Sequence, residues 1–353
     1  MEDVVVIGAG SSGLTAARQL LQRGYRVQVI DKSRGLGGRL ATRRRGSVAI
    51  DHGCRYLTPF IDESLSPIAQ LLNAGVLHPW QPDAFTLGAG GSLTAAQPKT
   101  LYRAPQGMSS IAKALAANLT IQRSWRATAL TPLTQGWRIT GETATADSQT
   151  ISQVLEAKAV VLAIPAPQAA VLLETAAQQD DAIDAVVQQL QAVTFDAVIT
   201  VMAGYTPTQP TQLDGQTGVN GWMVDGSEPS PLRWVALDSS KRTEPQEPIV
   251  VLHSSATFAA KAIEHPDLHA VSRELLLKAA QNLAPWLNEP AWMQVHRWRY
   301  GFVSQSLDKP LLHHPDLPNL VGCGDWCHGG NLEGAIASGH RSAAALAQVL
   351  EAR

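Results

Sequence analysis

Cysteine is scarce in this 353-residue chain, with Cys54, Cys323 and Cys327 as its three thiols. So few, so irregularly spaced, cannot build a disulfide framework, which fits a reducing compartment. Cys323, Cys327 and His328 lie close together, but no fourth ligand accompanies them and no metal is expected there. An excess of either charge is also missing. The formal net charge is −2 and the pI about 6.6, so the broad positive field that nucleic acid requires is not present. The one basic run, Arg43-Arg44-Arg45 just beyond Arg39, reads either as a solvated loop or as a counter-charge for phosphates. The longest apolar stretch, Ala159–Leu173, is interrupted by Pro165 and Pro167 and is too short to span a bilayer. Met1-Glu2-Asp3 leads straight into apolar residues without a basic leader. Together these features predict a cytoplasmic protein with neither nucleic acid nor membrane as partner; nothing in the composition sets an oligomeric state.

Hydrophobic residues at 45% and charged residues at 16% describe an ordinary globular chain, and its length suggests about two domains. Val4–Ile7 is a continuous apolar run ending at glycine, as in a buried parallel strand. Leu14, Ala17, Leu20 and Leu21 follow at helical spacing as far as Gly24, and Val27–Ile30 supplies a second strand. The first thirty residues therefore read as a βαβ unit opening a doubly wound sheet. Further strands are expected at Ala159–Ile164 and Leu320–Cys323, a helix over Gln168–Ala192, and a final helix from Glu333 with a small-residue face. Between them, β-rich stretches at Ala197–Met202, Leu232–Leu237 and Ile249–His253 are punctuated by Pro and Gly, the texture of an antiparallel sheet. The fold class is thus α/β, a Rossmann-like domain (1–60, 100–165 and 315–353) with a discontinuous α+β substrate domain (61–99 and 166–314).

Gly8-Ala9-Gly10-Ser11-Ser12-Gly13 is a G-x-G-x-x-G between that first strand and helix. Such glycines allow a tight turn, close backbone approach to a pyrophosphate and tight helix–strand packing, while the helix amides face the anion. Asp31, at the end of the second strand, is placed to accept hydrogen bonds from an adenosine ribose. These two features alone fit FAD and NAD equally. A second glycine cluster follows at once, Arg34-Gly35-Leu36-Gly37-Gly38-Arg39. Near the C-terminus stands Gly322-Cys323-Gly324-Asp325, then Gly329-Gly330-Asn331-Leu332-Glu333-Gly334.

In these segments the chain resembles the flavin amine oxidase superfamily. The resemblance implies FAD as cofactor, with contacts from Gly8, Gly10, Ser12, Gly13, Asp31, Lys32, Gly37, Gly38, Arg39, Gly53, Asp325, Asn331, Leu332 and Glu333. It also places the start of the last helix beneath the isoalloxazine, where a helix N-terminus stabilises negative charge. Within the superfamily, Asp51-His52-Gly53-Cys54-Arg55-Tyr56-Leu57-Thr58, Ala163–Gln168 and His296-Arg297-Trp298-Arg299-Tyr300 resemble the renalase-like group. Members of that group oxidise reduced nicotinamide dinucleotides, notably the 2- and 6-dihydro isomers of NAD(P), passing hydride to FAD and electrons to O2 to give hydrogen peroxide. By that resemblance Tyr56, His253 and Trp298 wall the pocket where the flavin does the redox step; core packing is the competing reading of each. Where relatives of the group can place an Asn in the pocket, this chain has Ser239. Two other readings stand beside this one. One is an amine oxidase using a lysine to hold a water, for which Lys241, Lys261, Lys278 and Lys309 are available; the other is a non-catalytic FAD-binding redox module.

Overall fold

The computed structural model describes residues 1–88, 90–97, 99–144, 150–213 and 221–352. Strand β1 (Glu2–Ile7) lies between Thr150–Leu162 and β2 (Val27–Asp31), parallel to both. Its side chains serve two cores by the alternation of a pleated strand. Val4 and Val6 pack with helix α1 (Ser11–Gln22) and the last helix, Leu332–Glu351. Val5 and Ile7 face Trp125, Trp137, Leu173 and Ile183 on the other side. A strand covered on both faces has no polar positions to spare, hence the unbroken apolar run; each such side chain, fully buried, contributes about 1.5–3 kcal/mol. The eight-stranded sheet continues through Thr120–Arg123 beyond β2, through the antiparallel strands Trp125–Leu133 and Gly136–Ala144 on the far side, and through Leu320–Gly322, which joins Thr150–Leu162 in parallel.

The expected Rossmann-like α/β architecture is present, with two differences. The helix expected over Gln168–Ala192 is two helices, Ala166–Ala177 and Asp181–Gln191. The second begins anew because the Asp180 carboxylate accepts hydrogen bonds from the Ala182 and Ile183 amides, a side-chain N-cap that competes with continuing the first helix. Both helices share a core with Val5, Ile7 and Trp125, so 166–191 packs on the first sheet although the sequence groups it with the substrate part.

The second sheet has seven strands, in the order Trp292–Gln305, Thr194–Gly204, Ile249–Ser254, Leu232–Leu237, Trp222–Gly226, Asp83–Leu87 and Leu93–Ala95. It is antiparallel except where Asp83–Leu87 runs parallel to Trp222–Gly226. Helix Leu268–Asn282 covers one face through Val271, Leu275 and Ala279. On the other face Met202, Met223, Trp234 and Val251 enclose Ile50 from strand β4 (Val48–Asp51), which pairs with β3 (Thr42–Arg45). Thr194–Gly204 and Trp292–Gln305 reach both bodies: Phe195 and Val303 pack against the first sheet's core, Ile199, Val201 and Val295 within the second. Among the described residues no helix is long and apolar enough to cross a membrane.

Candidate active site

A cavity of about 1890 Å³ opens between the two sheets, lined by both glycine clusters and by strands of the seven-stranded sheet. It exceeds the roughly 300–1,000 Å³ typical of a drug-sized ligand, which leaves room for a dinucleotide and a second molecule.

At its first end the glycines have separate tasks. Gly13 packs helix to strand: a Cβ there would overlap the Gly8 carbonyl oxygen and approach Ala163 Cβ to 2.8 Å. Gly8, at φ +112°, turns the chain where side chains are disfavoured. Gly10 instead lines the cavity with nothing within 4 Å of its Cβ position, so a side chain would fill the space a ligand needs. Gly37 is bridged to Gly10, its amide donating to Ala9 O at 2.8 Å, which joins the two glycine clusters into one wall. Asp31 fixes that wall, accepting from the Ala9 amide on Oδ2 and from the Ser33 amide on Oδ1, each at 2.7 Å.

Arg39 and Asp325, far apart in sequence, form a bidentate pair at 2.6 Å on each arm, and Arg39 also donates to Gly301 O. The turn carrying Gly53 lies against the Arg39 backbone, where the Cys54 amide donates to Arg39 O at 2.7 Å and a Cβ on Gly53 would collide with the same oxygen. Asn331 caps the last helix by accepting from Gly334 N. The Glu333 carboxylate is turned to the Ile61 amide at 2.6 Å, and Lys32 donates to Gln168 at the surface. Ser12 and Leu332 also line the cavity.

At the other end stand Tyr56, His253 and Trp298. Trp298 donates its indole N–H to His52 O at 2.9 Å, stacks on the His52 ring at 5.5 Å and meets the His296 ring edge at 4.3 Å. Burial, reinforced by the His296 and Arg43 charges, lowers the His52 pKa to about 4. His253 is 2% exposed, and among the described residues neither ring nitrogen has a partner. Burial and the Arg55 and Lys241 charges hold its pKa well below the ordinary histidine range, so it stands neutral beside the cavity. Tyr56 packs towards Trp80, with ring centroids 6.0 Å apart, and burial raises its pKa. His52, Arg55, His296, Arg233 and Phe302 line the same region and were not picked out individually from sequence, although His52, Arg55 and His296 lie in the quoted motif segments.

Behind this end lies a buried ion cluster. Lys241 and Asp51 are fully buried and pair at 2.9 Å; Lys241 also pairs with Asp238 and donates to Arg55 O at 3.1 Å. Arg242 spans both carboxylates at 2.9 Å each. Burial alone would raise the Asp51 pKa, but the Lys241 and Arg242 charges outweigh it and hold the carboxyl below its usual range. Lys241 is thus committed to carboxylates rather than to the cavity, and Lys261, Lys278 and Lys309 do not line it either. Ser239, expected to alter the pocket, is turned away from it: its hydroxyl accepts from Ile249 N, and it borders a separate hollow. Of the suggested metal ligands, Cys323 and Cys327 are buried, while His328 points outwards to Asp308.

Residues 77–347 match the family model of flavin containing amine oxidoreductases, and residues 6–73 match that of NAD(P)-binding Rossmann-like domains. The chain belongs to the flavin-containing amine oxidoreductase family. It is 39% identical over 70 residues to polyamine oxidase 5 of Oryza sativa subsp. japonica, a match covering 20% of this chain and 14% of that protein. The curated relatives of which this is one are matched over only 3% to 15% of their length. Solved structures superpose over the whole chain. Cyclohexylamine oxidase from Brevibacterium oxydans gives a TM-score of 0.70 at 15% identity, covering 99% of each chain. Wild-type putrescine oxidase bound to putrescine gives 0.69 at 15% identity, covering 100% of this chain and 99% of that one. At that identity the likeness speaks for the fold.

The residues of this member of a flavin-containing family fit FAD. Gly10 leaves a cradle that a Cβ would fill, and the first helix presents its N-terminus beside it, where backbone N–H groups attract phosphate. Across the cavity the capped helix at Asn331 offers a second positive dipole end.

Proposed function

We propose that this protein oxidises a reduced nicotinamide dinucleotide, including its 2- and 6-dihydro isomers, by hydride transfer to FAD with O2 as acceptor and hydrogen peroxide as product. The observation that carries the proposal is the sign of the charge around the cavity. Beyond the glycine clusters it is lined by Arg43, Arg44, Arg55, Arg233, Arg297 and Arg299, of which Arg55 pairs with Asp225 and Arg299 with Glu264, while the acids among its described lining residues, Asp31, Asp325 and Glu333, stand on the cofactor side. A chain of net charge −2 has therefore gathered cations at this mouth. Such a field concentrates a pyrophosphate-bearing substrate and repels an ammonium.

When bound, FAD supplies the hydride acceptor. The protein's share is orientation, in which a flat ring held against a fixed partner avoids the entropy of a bimolecular encounter. Trp298, pinned through its N–H to His52 O, gives a rigid wall, and the unpartnered nitrogens of His253 give a site for a polar ring substituent. Neither group needs to take a proton in a hydride transfer.

The test is anaerobic stopped flow of the flavinated protein with 2- and 6-dihydro-NAD(P), ordinary NAD(P)H and a panel of amines. Bleaching of the flavin by the nucleotides, with peroxide once air is admitted, is the expected result. Bleaching by amines alone would move the protein to amine oxidation and refute the proposal.

A further inference from the structure

One corner of the cavity carries a charge that its own residues do not balance. Arg233 lies with its guanidinium carbon 4.0 Å from the centre of the Phe302 ring, and Arg55 approaches the same ring at 5.3 Å and Trp234 at 5.2 Å. His253 closes the corner, 5.2 Å from Trp234 and 6.4 Å from Phe302 between ring centroids. Arg55 has one acidic partner, Asp225 at 3.4 Å, itself 40% exposed. Among the described residues no carboxylate pairs with Arg233. Two guanidinium charges thus face one carboxylate.

The local backbone explains how Arg233 came to point here. The pairing of Leu232–Leu237 with Ile249–Ser254 is irregular between Leu232 and Trp234, so the side chain between them escapes the alternation that would send it to the opposite face from Trp234. Bulges of this kind re-aim side chains beside active sites.

Arg55 is largely buried and Arg233 half-buried, charges removed from water are ordinarily paired, and guanidinium groups match carboxylates in bidentate geometry. We infer that this corner, formed by Arg55, Arg233, Phe302 and His253, recognises a carboxylate borne on the substrate's flat ring, so that the preferred substrate is a reduced pyridine dinucleotide of the nicotinic acid type rather than the amide. The inference rests on the reading of the cavity as a reduced-pyridine site. The ring lies between Trp298 and Phe302, which both line the cavity, its carboxylate meets the two guanidiniums, and neutral His253 donates its ring N–H to the second oxygen. A carboxamide in the same place leaves one cation unanswered.

Binding without turnover tests this separately from the oxidation itself. The oxidised, FAD-loaded protein is titrated with nicotinate and with nicotinamide, following the flavin absorption band, in wild type and in Arg233→Met. Nicotinate should bind at least tenfold more tightly than nicotinamide, and Arg233→Met should reduce that ratio to below about threefold while the flavin stays bound. Should Arg233→Met not fold, Arg233→Gln, which keeps a polar end, carries the same comparison. Equal affinity for the two ligands in wild type, or no spectral response to either, overturns the inference. In stopped flow, reduced nicotinic acid adenine dinucleotide should bleach the flavin with a dissociation constant at least tenfold below that of the amide. Bleaching by α-amino acids alone, together with tight nicotinate binding, would keep the carboxylate corner and refute the pyridine ring.

Discussion

Replacing Lys241 by Met removes one cation from a cluster in which two carboxylates, Asp51 and Asp238, share Lys241 and Arg242. Met nearly preserves the volume, so the perturbation is one of charge. Asp51, Asp238 and Lys241 are 0–1% exposed, and breaking a buried pair by removing one partner costs about 3–5 kcal/mol because the other charge is left without an answer. The Arg55 carbonyl also loses its donor, so the loss falls at the upper part of that range. At about 1–2 °C per kcal/mol for a chain of this length, the melting temperature of the flavinated protein should drop by roughly 5 °C or more at pH 7. Adding Asp238→Asn to Lys241→Met restores a neutral cluster of Asp51 and Arg242, and the double variant should regain more than half of the loss, a non-additivity expected of groups in one network. Flavin fluorescence and circular dichroism melts read both changes. A single variant within about 1 kcal/mol of wild type, or a double variant no more stable than the single, would refute the argument that charge balance holds this junction.

Gly13→Val should yield protein without bound FAD, because the new side chain collides with the Gly8 carbonyl and with Ala163; the flavin-to-protein absorbance ratio reads it, and a fully flavinated variant would sink the role of the glycine wall. Asp325→Asn removes the charge from the bidentate pair with Arg39 and should weaken FAD retention by about tenfold, since charge-assisted hydrogen bonds contribute about 1.5–3 kcal/mol; equilibrium dialysis of the flavin measures it. His52, with its pKa lowered to about 4 by burial, is protonated in the unfolded chain at higher pH than in the native one. Its contribution of about 3 kcal/mol is present above pH 6.5 and lost as pH falls towards 4, and the lowered pKa values of His253 and His296 act in the same direction. Melting temperature should therefore fall steadily from pH 7 to pH 4.5, and a flat profile would contradict it.

The glycine clusters were legible in the sequence because their constraint is local: positions such as Gly8 and Gly37, at φ +112° and +101°, demand glycine whatever lies around them. The buried run of β1 was legible for the same reason, since two covered faces leave no polar residue. Contacts between distant segments were not. Arg39 and Asp325 stood in recognisable motifs, but nothing in either motif says that the two side chains meet. Lys241 offered a candidate water-holding amine, and only the fold shows Asp51 and Asp238 closing on it. Ser239, two residues away, was expected to face the pocket and instead borders a hollow on the other side. Arg233 was hidden by strand alternation itself, because an irregular register is invisible in a period-two pattern.

The strands Thr194–Gly204 and Trp292–Gln305, each anchored in both cores, make the molecule mechanically continuous. A hinge between the halves would have to bend two hydrogen-bonded strands at once, so a substrate enters by a fixed mouth and not by closure of one half over the other. The same beams carry stress: a protein that has lost its cofactor should loosen in its seven-stranded sheet as well and melt in a single transition.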